Sequence, residues 1–407
     1  WQGTPREAGE GRPLNITEAK LKNIKALVIE GTWSPGFFSG EIDGLALRNG
    51  VWVAKPNGDG RGSELNKQAY SIGGEGKNGV LLPHSPDNRL LFALDVGLDI
   101  YAECPLWEGL LDTVLPAPDC QALIQEFFGA ALLGWTTRYQ GCLLLHGKGQ
   151  DGKSQVIDVL EALFPEEMVI SIPPHEMSNK NQRALMAGAR LNVVSEMPEG
   201  ELRNSEPFKA VVTGDRIGAE HKYQQPFFYR PRLACVFAAN NLPVVRDHSY
   251  GFWRRLYALP FSYRVPDDDV IRGLATQIVA EEKAGIVRWA LEGAARLRSQ
   301  DSFTRPVALE ELKSEWHRES NHVARWFEES CAIPYSEELL VDMQDDEIPE
   351  CDWSTARDLY THFRSWSTRS GHMPLSETKF SRRISDLGVR SKRTKNFKFY
   401  LAKVSKK

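Results

Sequence analysis

Six cysteines, Cys104, Cys120, Cys142, Cys235, Cys331 and Cys351, are spread over 407 residues with no C-x-x-C pair among them. That spacing argues against a zinc site and a disulfide framework, and it predicts a reducing, cytoplasmic setting. No apolar run approaches the roughly 18 residues that a membrane span needs, and no signal-peptide pattern opens the chain. Methionine is missing until Met168 and the chain begins on Trp1, so a piece of a longer protein is expected. Internal repeats are lacking too. A net charge of −4 is small and excludes little, because the charges are unevenly spread. Gly371 to Lys407 holds eleven Lys/Arg against Glu377 and Asp386, whereas Ser336 to Asp352 holds eight acids and no base. Such asymmetry reads either as a nucleic-acid-facing tail behind an acidic connector or as a solvated surface.

Against these absences stands one run, Gly147-Lys148-Gly149-Gln150-Asp151-Gly152-Lys153-Ser154. It satisfies the G-x-x-x-x-G-K-[ST] phosphate loop at every fixed position. The apolar run Cys142–Leu145 precedes it and a helix-like stretch, Gln155 to Leu163, follows. Strand, loop and helix in that order separate a working loop from a glycine-rich turn with an exposed lysine. The glycines let backbone N–H groups face phosphate oxygens at a helix N-terminus. Lys153 is expected to neutralise the β- and γ-phosphates of ATP, and the Ser154 hydroxyl to ligate Mg²⁺.

From about Asp119 to Ser299, strands at Leu143–Leu145, Leu191–Val194 and Leu233–Ala238 alternate with helical stretches, which predicts a parallel sheet with helices on its faces. The second strand ends on Ser195-Glu196, so Glu196 is the candidate for water activation and for the metal. The third ends on Asn240-Asn241-Leu242-Pro243, where Asn240 can bond both the γ-phosphate and the attacking water. Arg254 and Arg255 follow. They either pair with carboxylates or stabilise transition-state charge on a neighbouring subunit's nucleotide, Arg255 being the preferred finger.

Ahead of this core, Leu45 to Val53 alternates around Asn49-Gly50, a hairpin signal, and Leu90 to Leu94 reads as a further strand. These residues point to a small mixed domain and to no chemistry. Cys120 to Leu133 is apolar nearly all round and reads as a buried helix. Beyond about Asn321 a winged-helix module is expected. Ser354–Trp366 and Leu375–Leu387 are its helices, with Phe380, Ile384 and Leu387 facing inward, and Arg390 to Leu401 is a basic wing. Lys379, Arg382, Arg383, Lys392 and Arg393 are then left for DNA, or for docking on another subunit.

The ordered set resembles the superfamily 3 helicases, more closely the helicase half of phage, plasmid and poxvirus primase–helicases. It comprises the loop, Glu196, Lys209 to Arg216, Ala238-Ala239-Asn240-Asn241-Leu242-Pro243 and Trp253-Arg254-Arg255. Residues 40 to 140, with Cys104-Pro-Leu-Trp107 and Phe128-Gly129, are similar to the domain that precedes that helicase. The resemblance implies an AAA+ P-loop core (118–303) behind an N-terminal mixed α/β domain (1–117). A helical and acidic connector (304–352) and a basic winged-helix-like domain (353–407) would follow it. It further implies a hexameric ring that moves on single-stranded and forked duplex DNA with ATP between subunits. Arg216, His221 and Lys222 would lie on a pore hairpin, and a primase or polymerase domain could stand upstream. Ser195 departs from the family, many of whose members carry an acid there. Two other classes remain: an ATP-regulated replication initiator that does not unwind processively, and a monomeric small-molecule phosphotransferase.

Overall fold

The computed structural model describes residues 44–54, 70–71, 79–85 and, from 88 to 404, all but 89, 91, 198–200, 203, 246, 248, 337–339, 341–342 and 396. Parts of the N-terminal domain and of the acidic connector read from the sequence therefore lie outside the described residues.

The Asn49-Gly50 signal does close a hairpin: β1 (Gly44–Leu47) and β2 (Gly50–Ala54) pair antiparallel with Leu47 opposite Gly50. β3 (Tyr70–Ser71) and β4 (Gly79–Leu82) extend the sheet on one side, and β5 (Ala93–Leu94) runs parallel to β1 on the other. Of the strand expected over Leu90–Leu94, the described residues that pair with β1 are the last two, Ala93 and Leu94. Leu45, Leu47 and Trp52 of this sheet are buried in one continuous core with two helices, α1 (Pro105–Val114) and α2 (Pro118–Leu133).

The central sheet is parallel, built from β6 (Cys142–Gly147), β7 (Val169–Ile170), β8 (Leu191–Val194), β12 (Ala234–Ala239) and β14 (Leu256–Phe261) in the order β14-β6-β12-β8-β7. β6, β8 and β12 coincide with the predicted strands to within a few residues at each end. Between them run β9 (Glu201–Leu202) paired with β13 (Val244–Val245), and the hairpin of β10 (Ile217–Ala219) and β11 (Phe227–Tyr229). A parallel sheet buried on both faces demands apolar residues at every position. Here Leu143, Leu145, Val236 and Ala238 face one helical layer, while Cys142, Leu144, Cys235 and Phe237 face the other.

The first layer holds α1, α2, α3 (Lys153–Glu161) and α7 (Leu274–Gln300). The second holds α5 (Glu206–Thr213), α6 (Tyr250–Trp253) and α8 (Val307–Ser320), with α4 (Lys180–Leu185) packed beside the hairpin. Leu312 and Trp316 of α8 are buried against the sheet, so this helix, from the stretch read as connector, shares the core of the residues before it. α2 crosses α7 at very short range: a methyl group on Gly129 would strike the Ala290 carbonyl, and one on Gly293 the Gln125 carbonyl.

A separate core gathers α9 (His322–Ser330), α10 (Ala356–Arg369) and α11 (Glu377–Asp386) around Trp326, Phe363, Phe380 and Ile384. Phe380 and Ile384 are fully buried as their spacing predicts, and Leu387 is half-buried against them. β16 (Ser354–Thr355), β17 (Ser391–Arg393) and β18 (Lys398–Tyr400) form an antiparallel sheet in the order β16-β18-β17. β15 (Cys331–Ala332) pairs with β19 (Lys403–Val404). Among the described residues no helix is long and apolar enough to cross a membrane.

Candidate active site

β6 ends at Gly147 and α3 begins at Lys153, so the loop bridges a buried strand and a helix N-terminus as its sequence predicts. Gly149 and Gly152 hold φ near +96° and +85°, a region costly for side chains. Gly152 is doubly constrained, since a methyl group there would lie 2.5 Å from Val114 Cγ1 of α1. Gly147 needs its small size for another reason, the close approach of the Phe261 carbonyl from β14.

Inside the loop the Asp151 carboxylate accepts from the Gly149 N–H at 3.0 Å, the Lys153 N–H at 3.4 Å and Lys153 Nζ at 2.5 Å. Both side chains are buried. These are donors of the kind a phosphate would take. Burial first, and Lys153 second, keep the His146 imidazole at the end of β6 below its ordinary range. At neutral pH it adds no second cation beside Lys153.

β6 connects to β7 through α3 on one face of the sheet, whereas β12 connects to β14 through α6 on the other. Adjacent strands whose connections leave in opposite directions open a crevice at their carboxyl ends. Lys153 and Ser154 stand at the end of β6, Asn240 at the end of β12, and Ser195 and Glu196 at the end of β8. All five line one cleft of about 780 Å³. Ser154, Glu196 and Asn240 are exposed to it.

The opposite wall is largely apolar, with Thr113, Tyr263 and Asp269 as its polar members, and comes from two places to which the sequence assigned no chemistry. Pro105, Leu106, Leu110 and Val114 of α1 form one part, and Val265, Val270, Ile271 and Leu274 the other. The N-terminal region, whose residues suggested no chemistry, thus supplies a side of the cleft. Trp107, Leu111 and Val114 make the core-facing stripe of α1. Leu106 and Leu110, four residues apart on a neighbouring stripe, were the available signal. The wall is held in place by the buried Glu282 of α7, whose carboxylate accepts from the N–H groups of Leu106 and Trp107 at 2.8 and 2.9 Å. The Gln155 side chain of α3 accepts from the Ala275 N–H in the first turn of α7 at 2.9 Å, which ties the loop's own helix to the same support.

Arg255 precedes β14 and therefore sits at the end of the sheet away from the loop, about 20 Å off along a six-residue strand. Its guanidinium donates to the Gly251 carbonyl, and Arg254 donates to the Gln140 side chain. Among the described residues neither makes an ion pair, and the buried Arg255 Nε has no acceptor. Burial and then the neighbouring Arg254 lower the Arg255 pKa. Asp247 organises the approach to this pair. It accepts from Ser205 Oγ, from Lys209 Nζ at 3.0 Å and from the Ser249 N–H at 2.9 Å, while its carbonyl takes Trp253 Nε1–H. Lys209, whose part was obscure from sequence, bridges Asp247 and Glu206.

Of the basic candidates, Arg216, His221 and Lys222 are brought together, exposed, on the β10–β11 hairpin. Arg382 is exposed on α11. Arg383 is half-buried, and after burial its charge is what lowers the His317 pKa. Lys392 lies 4.2 Å over the Trp353 ring, whereas Arg393 is exposed at the end of β17.

Three comparisons bear on these elements. DUF5906, a family of unknown function, matches residues 145–255, from the loop strand to the arginine pair. A candidate helicase of Acanthamoeba polyphaga mimivirus, L207/L206, is 25% identical over 160 residues, which are 38% of this chain and 17% of that protein. The match thus takes in less than a fifth of the mimiviral protein. Among solved structures, two apo forms of the NrS-1 C-terminal region superpose with TM-scores of 0.43 and 0.38. They are 11% and 13% identical, and cover 74% and 73% of this chain and 75% of each of theirs.

Proposed function

We propose that the chain is the ATPase motor of a replicative DNA helicase, of the phage, plasmid or poxvirus primase–helicase kind, acting in the cytoplasm. One observation carries this reading: Lys153, Ser154, Glu196 and Asn240 converge on the carboxyl ends of adjacent parallel strands, opposite an apolar wall suited to a base. The similarity to a mimiviral protein named as a helicase agrees with it. Residues 118–303, with α8 packed into the same core, form the AAA+ unit, and the basic 353–407 unit is a winged-helix module for DNA.

In this reading the triphosphate takes over the donors of residues 147–154, displacing the Asp151 carboxylate from Lys153. The donor set fits Mg²⁺, which needs few protein oxygens when phosphates supply the rest. The Ser154 hydroxyl and the Glu196 carboxylate would hold it, where it would neutralise phosphate charge. Glu196 accepts the proton of the attacking water, and Asn240 hydrogen-bonds that water and the γ-phosphate. Arg255 of an adjacent subunit stabilises the transition-state charge across the interface of a six-membered ring. The basic hairpin moves the single strand as the cycle proceeds.

The test is ATP turnover with and without single-stranded DNA, together with displacement of a long labelled strand from a forked duplex. Stimulated turnover with displacement is expected. Sequence-specific duplex binding without displacement would leave an ATP-regulated initiator in its place.

A further inference from the structure

The hairpin read from sequence as a carrier of cations also presents aromatic rings. β10 and β11 are joined by residues 220–226, and the base of this hairpin is anchored to α4. Arg183 Nε donates to the Gly218 carbonyl at 2.8 Å, Tyr229 Oη donates to the Arg183 carbonyl at 2.5 Å, and the Glu220 N–H reaches the Lys180 carbonyl at 3.3 Å. The base is therefore fixed and the tip projects from it. At the tip Tyr223 is 92% exposed, and on β11 Phe228 is 63% exposed.

Single exposed apolar residues are common on surfaces, but three features set these two apart. Tyr223 adopts φ +65°, a left-handed conformation that glycine or asparagine would occupy at lower cost. Each ring carries its own cation: Lys222 Nζ lies 5.1 Å from the Tyr223 ring centre, and Arg216 Cζ lies 4.8 Å from that of Phe228. Phe228 also sits directly across from Gly218, whose missing side chain leaves room for the ring; a methyl group there would come within 3.2 Å of it.

We infer that this hairpin binds unpaired nucleobases as well as phosphates. Tyr223 and Phe228 stack on bases of the single strand, while Lys222 and Arg216 neutralise the adjoining phosphates. Rings with adjacent cations are what sequence-tolerant single-strand binding requires, because every base has a π-face. The inference rests on the helicase reading and adds to it that grip depends on the base.

The probes are a fluorescein-labelled oligothymidylate and a fully abasic strand of the same length and charge, titrated by anisotropy at one salt concentration. Wild type should prefer the oligothymidylate by about tenfold or more. Tyr223→Ala with Phe228→Ala should remove most of that preference and leave the abasic affinity in place, and Tyr223→Trp should keep it. Lys222→Ala should weaken both probes alike and lower the salt slope by about one. A preference that survives the double alanine variant overturns the stacking, as does equal wild-type affinity for the two probes, which would leave phosphate tracking intact. Wild type that binds neither strand overturns the helicase reading, and the stacking falls with it.

Discussion

Lys153 is already paired within its own chain. Its ammonium and two loop N–H groups are bonded to the Asp151 carboxylate, so a nucleotide entering the loop would have to compete with an anion that is covalently present. Asp151→Asn keeps the shape of the side chain and removes the charge. Nucleotide affinity should therefore rise several-fold, since about 1.4 kcal/mol corresponds to a tenfold change. Titration with a fluorescent ATP analogue reads this, and an unchanged dissociation constant would show that Asp151 leaves the loop at no cost. Lys153→Ala should instead abolish turnover while thermal melting stays cooperative; retained turnover would remove the loop from the active site. The loop, Glu196 and Asn240 were legible in the sequence because each is tied covalently to the end of a strand that its own apolar run announces. The Asp151–Lys153 pair was not, because the loop pattern fixes where the chain turns and leaves the side chain of its variable position unspecified. The α1 wall was hidden for a different reason: Val114 and Gly152, 38 positions apart in sequence, meet only once α1 has packed beside the loop.

Elements are positioned by a few polar side chains at their ends, and the Asp247 cluster is one such tie. It joins the start of α5, through Ser205 and Lys209, to the start of α6 and hence to Arg254 and Arg255. Burial alone would raise the Asp247 carboxyl, but hydrogen bonds from Ser205, Ser249 and Lys209 outweigh it and hold the group well below the usual carboxylate range. Folding thus lowers this pKa. The stabilisation it brings is whole above the ordinary aspartate value of about 4 and is lost as pH falls from there toward the folded value. Asp247→Asn should cost on the order of 1 kcal/mol at pH 7 after allowance for solvent screening. In urea melts its gap from wild type should narrow below about pH 4; a gap that stays constant to pH 3 would assign the loss to packing. At this scale the strands were the most readable part, because a fully buried parallel strand must be apolar throughout. Pairing was less readable: Leu90–Leu94 has strand composition, yet among its described residues only Ala93 and Leu94 find a partner. Likewise α8 reads as part of a helical and acidic connector until Leu312 and Trp316 are seen against the sheet.

For the whole molecule the question is whether one chain can complete its own site. Arg255 and Lys153 stand at opposite ends of the same parallel sheet, so β14 itself separates them by about 20 Å. No side chain spans that distance, and a finger role for Arg255 requires a head-to-tail neighbour. In a ring of that kind each interface takes its loop from one subunit and its arginine from the next. Lys153→Ala and Arg255→Ala should each be nearly inactive alone, with a loss on the order of 10³-fold for the arginine. Mixed in equal amounts and allowed to exchange, they should regain turnover. An interface pairing the intact loop of the Arg255→Ala subunit with the intact arginine of the Lys153→Ala subunit is complete, and random mixing makes about a quarter of the interfaces so. Single-stranded DNA and nucleotide should accompany the mixing, with the particle's mass followed in parallel for a species of six chains. If mixing restores nothing although rings of mixed composition form, the missing arginine was never shared. Arg255 would then be a structural residue, held by the Gly251 carbonyl at the foot of β14.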